Sequence, residues 1–331
     1  MSINWLTFIF NLYTTDMVIK LIKTHRQPAL AHLYEHLFCL EVKTFMLEKE
    51  LFKYIDYALH GTTYDNGGLI EIEIELYTPE AVRLRQELML LKVSLSEKNL
   101  SSSVLQLLAE EPYYIYFGDS DRIKAELDAL DKEPWQPIDA FNTYDAKLHR
   151  PKKQLMYYTN KKHPAPQRII TSLTLDRDFA KNHRELLPLF RHVCKLIVLT
   201  SQDILSIKYG LYTNGISYKA QQVNAELTRD RSNPYQISAR VAADAQRDAL
   251  SVLQASGAFE RLASWLRSVS YADAPFGAPD TQENYEDTGL YIGSKGWQLL
   301  ATEENIVKLI THTALSVQVG RDKTSLPLST K

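Results

Sequence analysis

The sequence predicts an α+β protein of two structurally related domains, each an antiparallel sheet with helices packed on it. Three observations carry that expectation. Leu69–Leu76 alternates strictly, with Ile70, Ile72, Ile74 and Leu76 on one side and Glu71, Glu73 and Glu75 on the other. This is the pattern of a half-buried strand, whose wet face an antiparallel sheet tolerates. From Ala29 the apolar residues change to helical spacing, Leu30, Leu33, Leu37 and Leu40 forming one stripe. Lastly, strands and helices recur in comparable numbers on both sides of Lys132–Gln167, a segment with five prolines and little periodicity that reads as a linker. The expected domains are residues 1–131 and 168–331, with 132–167 between them.

Along the chain, Met17–Thr24 (MVIKLIKT) is short and rich in branched apolar residues, which predicts a strand. A helix follows from Ala29, and its periodicity resumes over Phe45–Leu59, with Gly61 ending the segment. Asp65-Asn66-Gly67-Gly68 is a turn signal before the Leu69–Leu76 strand. Thr78 as cap and Pro79 at the first position start a helix expected to reach about Leu95. Ser101–Glu111, stopped by Pro112, and Asp119–Leu130 are further helices. Beyond the linker, Arg168–Leu175 is a strand and Arg184–Thr200 an apolar helix. Ile216–Leu227 and Tyr235–Ala243 read as a strand pair, and Asp244–Ser268 as a helix interrupted at Gly257. A helix at Glu303–His312 and a strand at Leu315–Val319 close the chain.

Composition narrows the function. With 331 residues, 45% hydrophobic and 24% charged, the chain has ordinary globular make-up and material for two cores. A net charge of −2 without long single-sign runs gives no electrostatic case for a nucleic-acid partner. Neither G-x-x-x-x-G-K-[ST] nor G-x-G-x-x-G occurs, so nucleotide binding has no support. Cys39 and Cys194 are the two cysteines; they form no disulfide framework and suit a reducing, cytoplasmic location. Ile3–Tyr13 is apolar, lacks a basic flank and is too short to span a bilayer, which predicts a buried edge element or a face awaiting a partner, and no membrane partner.

The chemistry lies in His32-Leu33-Tyr34-Glu35-His36. On a helix, residues three and four apart share a face, so both imidazoles can approach one ion with Glu35 beside them. Two imidazoles and a carboxylate are a usual catalytic zinc set, with water in the fourth position and a nearby carboxylate to take its proton. Three polar groups within the otherwise apolar stretch Ala29–Leu37 need partners, and a dication supplies one. The order H-x-x-E-H is the inverted form of the commoner H-E-x-x-H.

Ala31–Leu37 (AHLYEHL) resembles the core motif of the pitrilysin/insulinase family of zinc metallopeptidases, which includes the mitochondrial processing peptidases. The resemblance implies Zn2+ as cofactor, with His32 and His36 as ligands and Glu35 as general base. It also implies a third ligand from a downstream helix. Glu111 lies 75 residues after His36, with Glu110 as the alternate, and Leu107 and Leu108 set Glu111 on the apolar side of its helix. Gly61–Leu76 is similar to the family's turn and strand bordering the cleft, which implies recognition of a peptide substrate by strand addition. In the second half, Gly215-Ile216-Ser217-Tyr218 resembles a G-L-A-Y segment whose tyrosine helps to hold substrate, implying that role for Tyr218. Two positions depart from the family: Leu211 stands where an arginine is usual and Val104 where a second glutamate is. Active members assemble a chamber from four such domains, so two domains imply a homodimer or a heterodimer with a homologous chain. The expected activity is zinc-dependent peptide hydrolysis. The departures at Leu211 and Val104 keep open a rival, a catalytically weak or inactive subunit that binds peptide or a homologous partner.

Overall fold

A computed structural model describes residues 17–25, 27–64, 68–96, 99–100, 120–137, 167–209, 213–219, 222–229, 239–268, 285, 288–319 and 322–328. The chain is α+β and divides into two compact units, 1–163 and 164–331. Ile3–Tyr13 and Ser101–Glu111, two segments given a structure on sequence grounds, lie outside the described residues.

In the first unit, β1 (Met17–Thr24), β2 (Tyr57–Tyr64), β3 (Leu69–Leu76) and β4 (Gln136–Pro137) form a sheet in the order β2-β3-β1-β4. All of its pairings are antiparallel. The register aligns Ile19 with Ile74 and Leu21 with Ile72 across β1 and β3. It likewise aligns Leu59 with Ile74 and Gly61 with Ile72 across β2 and β3. Because side chains alternate, this register gathers the apolar members of all three strands on one face. Helix α1 (Pro28–Glu48) covers that face, burying Leu30, Leu33, Tyr34, Leu37, Phe38, Val42 and Met46 against it. Pro28 suits the first turn, whose amide has no helical partner in any case. The buried stripe passes through Val42 and Met46, while Leu40 is only half-buried.

The helical reading of Phe45–Leu59 is corrected. Helix α1 stops at Glu48, the backbone takes positive φ at Glu50 (56°) and Tyr54 (98°), and Tyr57 begins a strand. Asp56, itself buried, accepts a hydrogen bond of 2.9 Å from the Phe52 amide and stabilises this turn. Helix α2 (Ala81–Met89) is also shorter than the pattern predicts. The chain beyond it is drawn into tertiary hydrogen bonds: the Val93 amide donates to Asp131 and the Ser94 amide to Glu41. Helix α3 (Ser120–Lys132) leads to Trp135, buried against Phe38 with ring centroids 4.5 Å apart, and then to β4. Residues 138–166 of the linker segment lie outside the described residues.

The second unit contains β5 (Gln167–Leu175), α4 (Arg177–Asn182), α5 (Leu187–Tyr209), β6 (Thr213–Lys219) and β7 (Gln222–Arg229). It continues with α6 (Ala239–Ala255), α7 (Ala258–Ser268), α8 (Ser294–Leu300), α9 (Glu303–Thr311), β8 (Thr313–Val319) and β9 (Asp322–Pro327). Its antiparallel sheet has the order β6-β7-β5-β8-β9. Each sheet thus has a first strand flanked by the second strand of a following hairpin and, on its other side, by a strand arriving after further helices. The expected pairing of Ile216–Leu227 with Tyr235–Ala243 is corrected: β6 and β7 pair with each other, and Ala239 opens a helix. The alanine-rich run favours helix, and Ala242, Ala245, Ala249 and Leu253 fall on its buried side. Gly257 separates α6 from α7 with φ +68°, a conformation glycine takes without strain. Among the described residues, no helix is long and apolar enough to cross a membrane.

Candidate metal centre

Helix α1 turns its two sides to opposite tasks. Leu33, Tyr34 and Leu37 enter the core, while His32 and His36 are half-buried at its margin and Glu35 is buried beside them. The Nε2 atoms of His32 and His36 lie 3.2 Å apart, with the rings edge-to-face. Glu35 Oε2 is 3.8 Å from His32 Nε2. Donor atoms of the three residues all fall within 4.8 Å of one another, the one such group among the described residues.

This arrangement fits a zinc ion. Two ligand nitrogens at the usual zinc distance, seen from a tetrahedral centre, lie about 3.3 Å apart, close to the 3.2 Å found here. As neutral rings the two nitrogens can coexist at that distance only with a proton between them, and a cation can take the proton's place.

The neighbouring strand holds Glu35. The inward series of β2, Tyr57 and Leu59, continues to Gly61 and Thr63 at the strand's outer end. Thr63 Oγ1 donates a hydrogen bond of 2.7 Å to Glu35 Oε2. Gly61 lies directly under the carboxylate: a Cβ there would meet Glu35 Oε1 at 2.3 Å and Cys39 Sγ at 3.0 Å. The Cys39 thiol is pushed up to about 12, chiefly by burial and further by the Glu35 carboxylate.

Tyr34, between the two histidines in sequence, anchors the helix from below. Its hydroxyl donates to Asp131 Oδ1 at 2.8 Å and accepts from Lys23 Nζ at 2.9 Å. Lys23 also donates to the Leu130 carbonyl at 2.9 Å, and its ammonium lies 4.8 Å from the ring centroids of Tyr34 and Trp135. Burial lowers Lys23 to about 8 against the opposing pull of Asp131. Burial likewise raises Tyr34 well above the ordinary phenol range, and its hydrogen bond to Asp131 adds to the effect. These contacts tie β1, α1 and α3 together under the motif.

Of the residues singled out from the sequence, the fold brings His32, Glu35 and His36 together. Glu110 and Glu111 lie outside the described residues, as does position 211. Tyr218 is on β6 of the second unit, opposite Val223. Sequence reasoning missed Gly61 and Thr63 because it took Gly61 as the end of a helix. Their signal was the alternation begun at Tyr57 and Leu59.

No family model matches the chain, and no curated protein matches it. Solved structures of pitrilysin/insulinase-type proteases do, at low identity. One is the ferredoxin protease FusC, as a mutant in complex with Arabidopsis ferredoxin, with 11% identity and a TM-score of 0.26 over 94% of this chain and 43% of that one. Another is pitrilysin, with 11% identity and a TM-score of 0.29 over 91% of this chain and 45% of that one. A predicted insulinase family protease from Yersinia pestis has 12% identity and a TM-score of 0.25, over 94% of this chain and 88% of that one. The chain spans less than half the length of the first two. At these TM-scores the likeness is coarse, and the chemistry assigned to the site comes from its own side chains.

Proposed function

We propose that this protein is a zinc-dependent endopeptidase related to the pitrilysin/insulinase proteases, hydrolysing peptides or small unfolded segments. The observation that carries the reading is the pair of imidazole nitrogens 3.2 Å apart with the Glu35 carboxylate held beside them. His32 and His36 would hold the ion, and Glu111, or Glu110 in its place, would be the third ligand. Bound there, zinc supplies Lewis acidity that brings the pKa of a coordinated water to about 7.

Glu35 accepts a proton from the attacking water as its oxygen joins the peptide carbonyl carbon. It then returns that proton to the amine nitrogen as the C–N bond breaks. Among the described residues, strand β2 is at the sheet edge, with β3 as its strand neighbour. Main-chain groups on its outward edge would hydrogen-bond an extended peptide beside Glu35, an arrangement that gives affinity without much sequence demand. Tyr218 is assigned to holding substrate, and a homodimer or a pair with a homologous chain to completing the chamber. A cytoplasmic location suits two free cysteines.

Leu211 and Val104 favour a second reading, a catalytically weak or inactive subunit that binds peptide or a homologous partner, with or without the ion. Metal analysis of the purified chain, with cleavage of a peptide library with and without chelator, separates the two. The peptidase reading expects bound zinc and chelator-sensitive cleavage that Glu35→Gln abolishes while retaining the metal. Zinc without cleavage selects the subunit reading, and a chain without zinc removes the peptidase reading.

A further inference from the structure

Glu35 is close enough to the two histidines to have two incompatible uses. With Oε2 3.8 Å from His32 Nε2, its carboxylate is near enough to bind an ion between the imidazoles. A carboxylate that spends a lone pair on the ion is a poorer proton acceptor. Nothing in helix α1 itself decides between these uses, because Glu35 shares a face with His32, three residues before it, and its side chain has several rotatable bonds.

The decision lies on strand β2. Thr63 Oγ1 bonds Oε2 at 2.7 Å, and this is the oxygen nearest His32. The other oxygen, Oε1, rests where any side chain at Gly61 would collide with it, at 2.3 Å. One oxygen is tethered by a hydroxyl, and the second occupies a recess that exists because residue 61 lacks a Cβ. Both residues belong to the inward series of the same strand, so a single element fixes both oxygens.

We infer that Thr63, with Gly61 beside it, is the positioning residue that keeps Glu35 a proton acceptor and off the metal. The inference rests on the metallopeptidase reading and deepens it. It differs from a merely structural role, in which the hydroxyl satisfies a buried carboxylate and nothing more. A structural role predicts lost stability on removing the hydroxyl, with no change in metal coordination.

The test uses the full chain loaded with Co2+, whose visible spectrum reports the ligands, in wild type, Thr63→Val, Thr63→Ser and Gly61→Ala. Valine has nearly the shape of threonine and favours strands, so Thr63→Val should retain the sheet. Its Co2+ spectrum should change as Glu35 joins the ion, and kcat should fall by about 10- to 100-fold with KM little altered. Thr63→Ser should return both spectrum and kcat toward wild type. Gly61→Ala, which keeps the hydroxyl but fills the recess, should reproduce the spectral change and stands in should Thr63→Val fail to fold.

Identical Co2+ spectra in wild type, Thr63→Val and Gly61→Ala would overturn the inference, as would a serine variant that fails to restore the spectrum. The spectral arm decides the role of Thr63 even where wild type binds Co2+ and cleaves nothing, an outcome that removes only the peptidase activity. A chain that takes up no Co2+ overturns both.

Discussion

Lys23 Nζ lies 2.9 Å from the hydroxyl of Tyr34, so a buried ammonium from the first strand meets the central residue of the H-x-x-E-H motif from beneath. The hydroxyl donates its own hydrogen bond to Asp131 at 2.8 Å, so the chain of contacts ends on helix α3. A phenol bridging a lysine of β1 and an aspartate of α3 ties the motif helix to both elements.

Removing that phenol oxygen should therefore loosen the helix without touching the ligands. Tyr34→Phe leaves Lys23 and Asp131 without the shared partner, and the expected cost is about 1–3 kcal/mol of folding stability. Urea unfolding measures it. Metal content at saturating zinc should be unchanged, because the histidines occupy the other side of the helix.

Lys23 should also make stability depend on pH. Its folded-state value is lowered to about 8 from 10.5. Between those values the unfolded chain binds a proton that the folded chain has released, so stability rises with pH across the window. Below pH 8 the folded protein carries the full cost of the buried charge. Relative to Lys23→Met, the wild type should gain about 2 kcal/mol between pH 7 and pH 9.5. The comparison must be a difference between the two proteins, because Cys39 and Tyr34, both raised, act in the opposite direction. Denaturant melts at the two pH values supply the four numbers. A difference that stays flat would show that Lys23 keeps its ordinary affinity for the proton.

Both thiols should resist alkylation in the native protein. Cys39 is held up to about 12 by burial and by Glu35, and burial alone raises Cys194 well above its usual value. At pH 8 a thiol titration should find neither group until denaturant is added, and then both. Early reaction of one thiol would mean that the contacts around it open readily.

Metal removal should destabilise the first unit. A ligand bound at a hundredfold excess over its dissociation constant stabilises the folded form by about 2.7 kcal/mol. Chelator should therefore lower the melting temperature of wild type, and His32→Ala or His36→Ala should show no such response. A chelator effect that survives in both variants would locate the ion elsewhere.

How far the sequence discloses all this differs from residue to residue. Strand β3 is legible because Ile70, Ile72, Ile74 and Leu76 alternate without exception with glutamates. The motif is legible because one helix carries His32, Glu35 and His36, and helical spacing alone brings them together. The end of helix α1 is not, since apolar residues at helical spacing continue past Glu48 while the backbone turns on Glu50 and Tyr54, two non-glycine residues at positive φ. Ala239–Ala243 misleads for a related reason, as a short run of small and branched residues satisfies either period. Thr63 and Lys23 escape because their roles depend on pairings with β3 and α3, long-range relations that no local pattern carries.

Strand β2 has one further implication. A strand presents its side chains in two alternating sets, so it behaves as a binary device. A slip of one position against β3 would withdraw Gly61 and Thr63 and turn His60 and Thr62 toward the helix instead. That would place an imidazole where the recess now admits a carboxylate oxygen. Inserting or deleting a single residue between Tyr64 and Leu69 would then invert the floor of the site while leaving every one of its own residues in the chain.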